Sequence, residues 1–323
     1  MDWNWSEIFS SPLWAVSTVI LGLVVRVQRR ARWDPRDCPV QLKGKTVIVT
    51  GSSTGIGKFV ALDFARRGAR VILACRSMER GTAAMQDIRR LSGNKNVHLR
   101  LLDTASLQSV RQFAEDFLRE EKQLHILVNN AGASGMPRRI TTDGLEVTFA
   151  TNHVGPFLLT NLLLDLMKRC APARIVNVSS VNHWKGQVHF AHFHGNNLTG
   201  GMDSSYNHTK LYNILWTKEL ARRLQDTGVT VNSLHPGVVK TEVMRYYHWL
   251  IRLIFSITGI FFFKSAEEGA VSTIYCAVAE ETDGITGKYF DSDCSLVLPS
   301  PLARDPALAE KSFEFCERLT AKL

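Results

Sequence analysis

Apolar runs alternate with amphipathic stretches along most of this chain. Residues 45–50 are β-branched and apolar after the first lysine, which is typical of a strand buried on both faces of a sheet. Further strand-like runs lie at 70–74, 97–102, 125–129, 174–179 and 229–234, and a last short one lies near 288–290. Helical patterns occupy the stretches between them. The alternation predicts an α/β fold with a single doubly wound parallel sheet and helices on both faces.

The first apolar run differs from the others in its length and its flanks. Residues 8–25 form a mostly apolar segment near the lower limit of about 17–25 residues for crossing a bilayer. Arginines follow it at 26–32, which favours an uncleaved N-terminal membrane anchor helix over a cleaved signal peptide and keeps the rest of the chain in the cytosol. A helix on the membrane surface or packed against the fold is the alternative. We therefore predict an anchor with a basic flank at 1–36 and one folded domain at 37–323.

A second apolar stretch, 249–263, contains Arg252 and is short for a bilayer span. It suits either a buried helix of the fold or a shallow contact with the bilayer surface. Membrane lipid is thus a predicted partner of 8–25 and a candidate partner of 249–263.

Composition narrows the function classes. The formal charge of the 323 residues is +9, but no arginine–lysine block with interleaved aromatics is present, which argues against a nucleic-acid partner. An anionic membrane surface fits this charge better. The six cysteines are scattered, as expected of reduced thiols in a cytosol-facing domain. Histidines crowd the stretch 183–194 without an acidic or cysteine partner, so no metal site is predicted.

The strand at 45–50 leads directly into a glycine-rich turn with glycines at 51, 55 and 57, and then into an amphipathic helical pattern at 58–67. Strand, turn and helix in this order form a dinucleotide cradle. Glycine lets the backbone approach a pyrophosphate, and the helix N-terminus offers free N–H groups. The predicted sheet is therefore of the Rossmann type, with the nucleotide at the carboxyl ends of its strands.

The end of the second strand indicates which nucleotide is bound. Residues 70–74 are followed by Cys75, Arg76 and Ser77, with no acidic residue. NAD sites usually place a carboxylate there for the ribose 2′-hydroxyl, whereas a guanidinium matches a 2′-phosphate in charge and geometry. The sequence favours NADP(H) as the cofactor, with Arg76 as the ligand of its 2′-phosphate.

Tyr206 and Lys210 stand four residues apart, so on a helix they share one face, one turn apart. A nearby ammonium group favours the phenolate and lowers the pKa of a tyrosine from about 10 toward neutrality. Such a tyrosine can pass a proton to or from an alcohol or carbonyl oxygen. The pair is a candidate acid/base centre.

These features stand in one order with others, namely Asp103 after a strand, Asn129 to Gly132, Asn152, Ser179 with Ser180, and Pro236 with Gly237. In this arrangement the chain resembles the short-chain dehydrogenase/reductase family over about residues 43–300. Within the family it is most similar to the membrane-bound retinol dehydrogenases, on phrases such as those at 152–160 and 174–180.

The resemblance implies a role for each matching residue. Tyr206 would be the general acid/base, Lys210 would lower its pKa and bind the nicotinamide ribose, and Ser180 would orient the substrate oxygen. Asn152 would hold a water that links the lysine to solvent. Asp103 would meet the adenine, Asn129 the adenosine side of the pocket, and Thr241 the carboxamide. The implied cofactor-binding residues are Gly51, Ser53, Thr54, Gly55, Ile56, Gly57, Arg76, Asp103, Asn129, Tyr206, Lys210, Pro236, Gly237 and Thr241.

The predicted function is an NADP(H)-dependent oxidoreductase that interconverts a lipophilic alcohol and its aldehyde or ketone. Retinol and retinal are the first candidates, and reduction in the cytosol, at the endoplasmic reticulum membrane, is the expected direction. A steroid or fatty-aldehyde reductase and a catalytically silent scaffold protein are the alternatives. The polar stretch 181–205 departs from the retinol dehydrogenases, and in this family 249–263 forms a flap over the substrate. For both reasons the sequence does not identify the substrate. It is also compatible with a homo-oligomer.

Overall fold

The computed structural model describes residues 33–196, 198, 204–239 and 263–322. The predicted anchor at 8–25 lies outside them, as does nearly all of the apolar stretch 249–263. Among the helices of the described ranges, none is both long enough and apolar enough to span a bilayer.

One eight-stranded sheet forms the centre of the fold, in the order β3-β2-β1-β4-β5-β6-β7-β8. Its first seven strands are parallel, and β8 runs antiparallel to β7. The strand order reverses between β1 and β4, which is where ligands of such sheets bind. The strands are β1 Thr46–Thr50, β2 Arg70–Cys75, β3 Val97–Leu101, β4 Ile126–Asn129, β5 Ala173–Val178, β6 Val229–Leu234, β7 Tyr289–Phe290 and β8 Leu296–Val297.

Helices cover both faces of this sheet. Helix α4 is composite: it begins as one α-turn, Val147–Phe149, passes through a π-helical segment, Ala150–Val154, and continues as Gly155–Arg169. The other α-helices are α1 Gly55–Arg66, α2 Met78–Ser92, α3 Leu107–Glu120, α5 Ser204–Arg223, α6 Ala266–Val278, α7 Pro301–Arg304 and α8 Pro306–Lys322. Short 3-10 helices lie at Val181–Lys185, Phe190–His194 and Glu280–Thr282.

The alternation of side chains along the strands produces two cores. In β1, Ile48 packs into the core under α3, α4, α5 and α8, whereas Val47 and Val49 pack into the core under α1, α2 and α6. Because both faces of the central strands are buried, their sequences read as continuous apolar runs. The predicted doubly wound sheet is confirmed.

The predicted strands agree with the observed ones to within one residue at each end. Strand β8 was not predicted, because two residues carry no periodic signal and Leu296 is exposed. All six cysteines are free thiols.

Candidate active site

A cavity of about 580 Å³ opens at the carboxyl ends of the central strands. Its lining residues follow directly on β1, β2, β4, β5 and β6, which is the place that the strand order predicts for a ligand. We call the part lined by Gly51, Ser53, Thr54, Gly55, Ile56, Arg76, Ser77, Arg80 and Asp103 the glycine end. We call the part lined by Ser180, Val181, Tyr206, Pro236, Gly237 and Val238 the tyrosine end.

The turn after β1 needs glycine at two positions. Gly51 has a φ of 66°, and a Cβ added there would lie 2.9 Å from the Cα of Ala131. A Cβ at Gly57 would lie 2.5 Å from the side-chain nitrogen of Asn130 and 2.7 Å from the carbonyl oxygen of Gly51. Asn130 in turn donates to the carbonyl oxygen of Thr50 at 2.9 Å, so turn and helix are locked together. Gly51 lines the cavity directly, and Gly57 supports the turn from behind.

Helix α1 points its N-terminus into the glycine end. Its N-cap, Thr54, makes no side-chain capping bond within the described structure, and the first turn carries no acidic residue. The first N–H groups and the positive end of the helix dipole are therefore available to an anion. Together with the close backbone approach at Gly51, this fits the pyrophosphate of a dinucleotide.

Two guanidinium groups border the far side of the glycine end. Arg76 follows β2, and Arg80 is the third residue of α2, on the same wall. Ser77 caps α2 by accepting a hydrogen bond from the N–H of Arg80. Arg80 was not predicted, because Arg76 precedes the helix and a spacing of four indicates a shared face only within one helix. This wall, with Asp103 beside it, fits an adenosine that carries a 2′-phosphate.

The side chain of Asn129, predicted to meet the adenosine side of the pocket, points away from the cavity. Its amide nitrogen donates to the hydroxyl of Thr160 at 3.0 Å and to the amide oxygen of Asn177 at 2.9 Å, inside the core. The residue that lines the cavity is its neighbour Asn130. Successive strand residues face opposite sides, and the tandem asparagines alone do not say which one faces the ligand.

Tyr206 and Lys210 lie on one face of α5, as predicted. The ammonium nitrogen of Lys210 is 5.4 Å from the centroid of the Tyr206 ring and donates to the carbonyl oxygen of Val178 at 2.8 Å. Lys210 is 4% exposed, and burial lowers its pKa to about 8. Tyr206 lines the cavity, with this cation behind it.

The structure separates the two serines that follow β5. The hydroxyl of Ser179 is buried and donates to the carbonyl oxygen of Lys210 at 2.7 Å. Both serines border the cavity, but Ser180 is half-buried and its hydroxyl oxygen only accepts, from the N–H of Asn182, among the bonds of the described residues. This favours Ser180 for contact with a substrate oxygen.

Asn152 lies in the π-helical segment of α4 and joins two parts of the site. Its side chain accepts from the N–H of Ala133 and donates to the carbonyl of the same residue, both at 2.9 Å. It also donates to the hydroxyl of Thr209 on α5 at 3.2 Å. A Cβ added at Gly132 would lie 3.5 Å from both the Asn152 oxygen and the Lys210 nitrogen. Asn152 and Lys210 therefore flank the same glycine.

His183 is a site residue that the sequence did not single out for this role. Its Nδ1 donates to the carbonyl oxygen of Ser180 at 2.7 Å, and its Nε2 accepts from the N–H of Ser300 at 3.1 Å. The ring is buried, and burial lowers its pKa. A neutral His183 thus ties the Ser180 turn to the segment after β8. Pro236 and Gly237, predicted to bind the cofactor, line the tyrosine end, and Thr241 lies outside the described residues.

Comparison with known proteins gives the family. The model of the short chain dehydrogenase family matches residues 45–248, well over half of the chain. The chain belongs to the short-chain dehydrogenase/reductase family. It is 48% identical to human retinol dehydrogenase 12 over 283 residues, which covers 87% of this chain and 88% of that protein. It is 47% identical to mouse retinol dehydrogenase 11 over 279 residues (85% and 86%), and 46% identical to human retinol dehydrogenase 13 over 312 residues (95% and 94%).

Solved structures agree with the fold. A putative uncharacterized protein from Mycobacterium paratuberculosis is 31% identical, with a TM-score of 0.72 over 90% of this chain and 97% of that one. The L-sorbose reductase of Gluconobacter frateurii, solved with NADPH and L-sorbose, is 21% identical, with a TM-score of 0.64 over 81% and 99%. At that identity the likeness concerns the fold alone. The family and the relatives make this chain an oxidoreductase similar to retinol dehydrogenases, with a site suited to a nicotinamide cofactor.

Proposed function

We propose that this chain is an NADP(H)-dependent oxidoreductase that interconverts a lipophilic alcohol and its aldehyde or ketone, with retinol and retinal as the first candidates. The observation that carries the proposal is the position of Tyr206. It stands over the buried cation of Lys210 at the end of a cavity that begins at the glycine turn and Arg76. A dinucleotide lying along this cavity would bring its reactive end to the tyrosine.

The residues of the tyrosine end would divide the acid/base work. The nicotinamide, when bound, supplies or accepts the hydride. Tyr206 would give its phenolic proton to the carbonyl oxygen during reduction and take it back during oxidation. Lys210 would stabilise the phenolate that results, since an ammonium group nearby favours the charged form. Ser180 would hold the substrate oxygen within reach of the tyrosine.

The preference for NADP(H) rests on charge. Arg76 and Arg80 line the wall where the adenosine ribose would lie, and neither β2 nor the residue after it offers a carboxylate. A guanidinium pair favours a 2′-phosphate, and NAD offers only a hydroxyl there. The remaining cofactor contacts proposed are those of Ser53, Thr54 and Ile56 at the turn, Asp103 at the adenine, and Thr241 at the carboxamide.

The lipophilic substrate is supported by the tyrosine end and by the relatives. Met136, Val181, Val238 and Val239 line the cavity, and of these Val181 and Val238 belong to the tyrosine end and are exposed. The relatives compared above are named retinol dehydrogenases. A steroid or a fatty aldehyde would suit the same apolar wall, so these remain the alternative substrates. A silent scaffold protein is the less favoured alternative, because Asn152, Ser180, Tyr206 and Lys210 are all present.

We further propose that 8–25 anchors the chain in a membrane, the endoplasmic reticulum first, with the catalytic domain on the cytosolic side. The arginines after residue 25 support this orientation. Because cytosolic NADP is mostly in the reduced form, NADPH, the hydride would pass to the substrate and the net direction would be carbonyl reduction. The segment 249–263 would meet the lipid from which the substrate arrives.

Turnover of the full chain in detergent or vesicles tests the proposal. NADPH oxidation is measured with retinal, a steroid ketone and a fatty aldehyde, each against NADH. We expect retinal with NADPH to give the highest kcat/KM, and Tyr206→Phe to remove the activity. A higher kcat/KM with NADH would overturn the cofactor assignment. Absence of turnover with every substrate while NADPH still binds would favour the scaffold alternative.

A further inference from the structure

The backbone carbonyl of Asn152 lacks the hydrogen bond that an α-helix would give it. In an α-helix it would accept from the N–H of residue 156, but that residue is Pro156, which has none. The local helix is a π-helix, in which the N–H of Gly155 reaches back to the carbonyl of Ala150. From the neighbouring helix α5, the side chain of Asn213 donates to the Asn152 carbonyl oxygen at 3.1 Å.

The hydrogen bond from Asn213 to the Asn152 carbonyl fixes which atoms of Asn213, His153 and Cys316 donate and which accept. A backbone carbonyl only accepts, so Asn213 presents its amide nitrogen to Asn152 and its amide oxygen to His153 Nδ1, 2.8 Å away. His153 Nδ1 must then carry the proton, which leaves a lone pair on Nε2. The thiol of Cys316, 3.3 Å from Nε2, is therefore the donor to it.

The chain of hydrogen bonds is closed to solvent. Its four members are between 1% and 4% exposed. Burial lowers the pKa of His153 to about 4 and raises the pKa of the Cys316 thiol, so both groups are neutral near pH 7. Four aromatic rings pack around the imidazole, from Phe157, Phe193, Tyr212 and Trp216. The ring has no room to rotate away from its two partners.

We propose that Cys316, His153 and Asn213 are positioning residues for Asn152. The thiol on the C-terminal helix α8 holds His153 in its Nδ1–H tautomer. The tautomer orients the amide of Asn213, and Asn213 holds the π-helical segment where Asn152 can reach its partners.

The consequence for the site follows from what Asn152 touches. Its side chain joins Ala133, on the loop after β4, to Thr209, which precedes Lys210 on α5. If the thiol is lost, the lone pair on His153 Nε2 has no donor in a buried site, and the Nδ1–H tautomer loses the contact that favours it. The Asn213 amide is then held less firmly in the orientation that donates to the Asn152 carbonyl, and the two helices shift apart at the acid/base centre. That the displacement slows turnover rests on the proposed function above.

A matched pair of variants at Cys316 isolates the donor. Cys316→Ala and Cys316→Ser both remove the sulfur volume, but only serine keeps a donor to His153. We expect kcat for NADPH-dependent reduction to fall by about tenfold in Cys316→Ala, the cost of one unsatisfied buried group, and to recover in Cys316→Ser. KM for NADPH should stay within twofold in both, because the glycine end is untouched. Thr320→Val is the control: it removes a buried hydroxyl from the same helix that bonds only to helix carbonyls, and its kcat should equal that of the wild type.

Equal kcat values in Cys316→Ala and Cys316→Ser, at comparable Tm, would overturn the proposal.

Asn213→Asp is a second, independent test. A carboxylate can accept a hydrogen bond from His153 but cannot donate one to Asn152, so this variant should lower kcat at least as far as Cys316→Ala. Nitrogen-15 shifts of the His153 ring give a third test that needs no substrate. They should report a protonated Nδ1 and a bare Nε2 in the wild type and in Cys316→Ser, and a mixture in Cys316→Ala. A protonated Nε2 in the wild type would refute the assignment even if no substrate is ever turned over, whereas an inactive wild type with the expected shifts would count against the proposed function alone.

Discussion

The two ends of the cavity are built in different ways. The glycine end is made largely of backbone: a turn that only glycine can form at Gly51, an open helix N-terminus, and arginines at its rim. The tyrosine end is made of side chains whose positions depend on other side chains. Lys210 lies under Tyr206, Asn152 accepts a hydrogen bond from α5, and its neighbour His153 contacts the thiol of Cys316 on α8. The glycine turn and the open helix N-terminus come from one short stretch, residues 51–57, although the turn packs against 130–131. At the tyrosine end, the position of Asn152 depends on hydrogen bonds with residues far away in the sequence. Substitutions at the glycine end should therefore weaken NADPH binding, and substitutions at the tyrosine end should lower kcat, largely independently of each other.

The largest effect is expected at the tyrosine end. Tyr206→Phe keeps the ring above Lys210 but removes the proton that must move, so kcat should fall by about 10²–10⁴-fold. The Kd for NADPH, measured by fluorescence titration, should change little, since the glycine end is intact. A comparable loss of NADPH binding would show that the two ends are not independent. Near-normal kcat would refute the acid/base role.

Gly51→Ala should impair NADPH binding at the glycine end. The new methyl group would need a positive φ, at about 1–2 kcal/mol, and would overpack the Ala131 backbone, at about 1–3 kcal/mol more. Gly93→Ala is the matched control, because Gly93 has a φ of 70° but open space around it. We expect both variants to lower the free energy of unfolding in urea, and only Gly51→Ala to weaken NADPH binding. Equal losses of binding would mean that backbone strain, and not the close approach, matters.

Acid should act on the tyrosine end through its buried histidine. The pKa of His153 falls from 6.5 to about 4 on burial, so the folded state binds a proton less readily than the unfolded chain. Its contribution to stability is complete above pH 6.5 and is lost as the pH falls toward 4, at most about 3 kcal/mol. In His153→Phe the free energy of unfolding should fall correspondingly less between pH 6.5 and 4. His98→Phe is the control on β3, where the histidine is only partly buried, and it should change this pH dependence less.

The same contrast decides what the sequence could predict. Patterns of neighbouring residues were enough to predict the strands to within one residue at each end. They were also enough to predict the glycine turn and the shared helix face of Tyr206 and Lys210. Which of two tandem asparagines presents its side chain to the cavity depends on the pleat of β4, and the sequence pattern alone did not show that the side chain of Asn129 lies in the core. The contact between His153 and Cys316 joins residues 163 positions apart, and no spacing rule connects them.

The smallest expected effect sharpens the description of the glycine end, where side chains do contribute at the rim. If Arg76 holds the 2′-phosphate, Arg76→Ala should weaken NADPH binding by about 1.5–3 kcal/mol, the value of a charge-assisted hydrogen bond, and leave NADH binding nearly unchanged. Arg80→Ala should weaken NADPH binding less, because Arg80 lies on the same wall but four residues further from the end of β2 than Arg76. Isothermal titration with both nucleotides measures the two effects, and the double variant shows whether they add. Equal losses for NADPH and NADH would make Arg76 a structural residue. The preference for one cofactor would then depend on the backbone of this end alone.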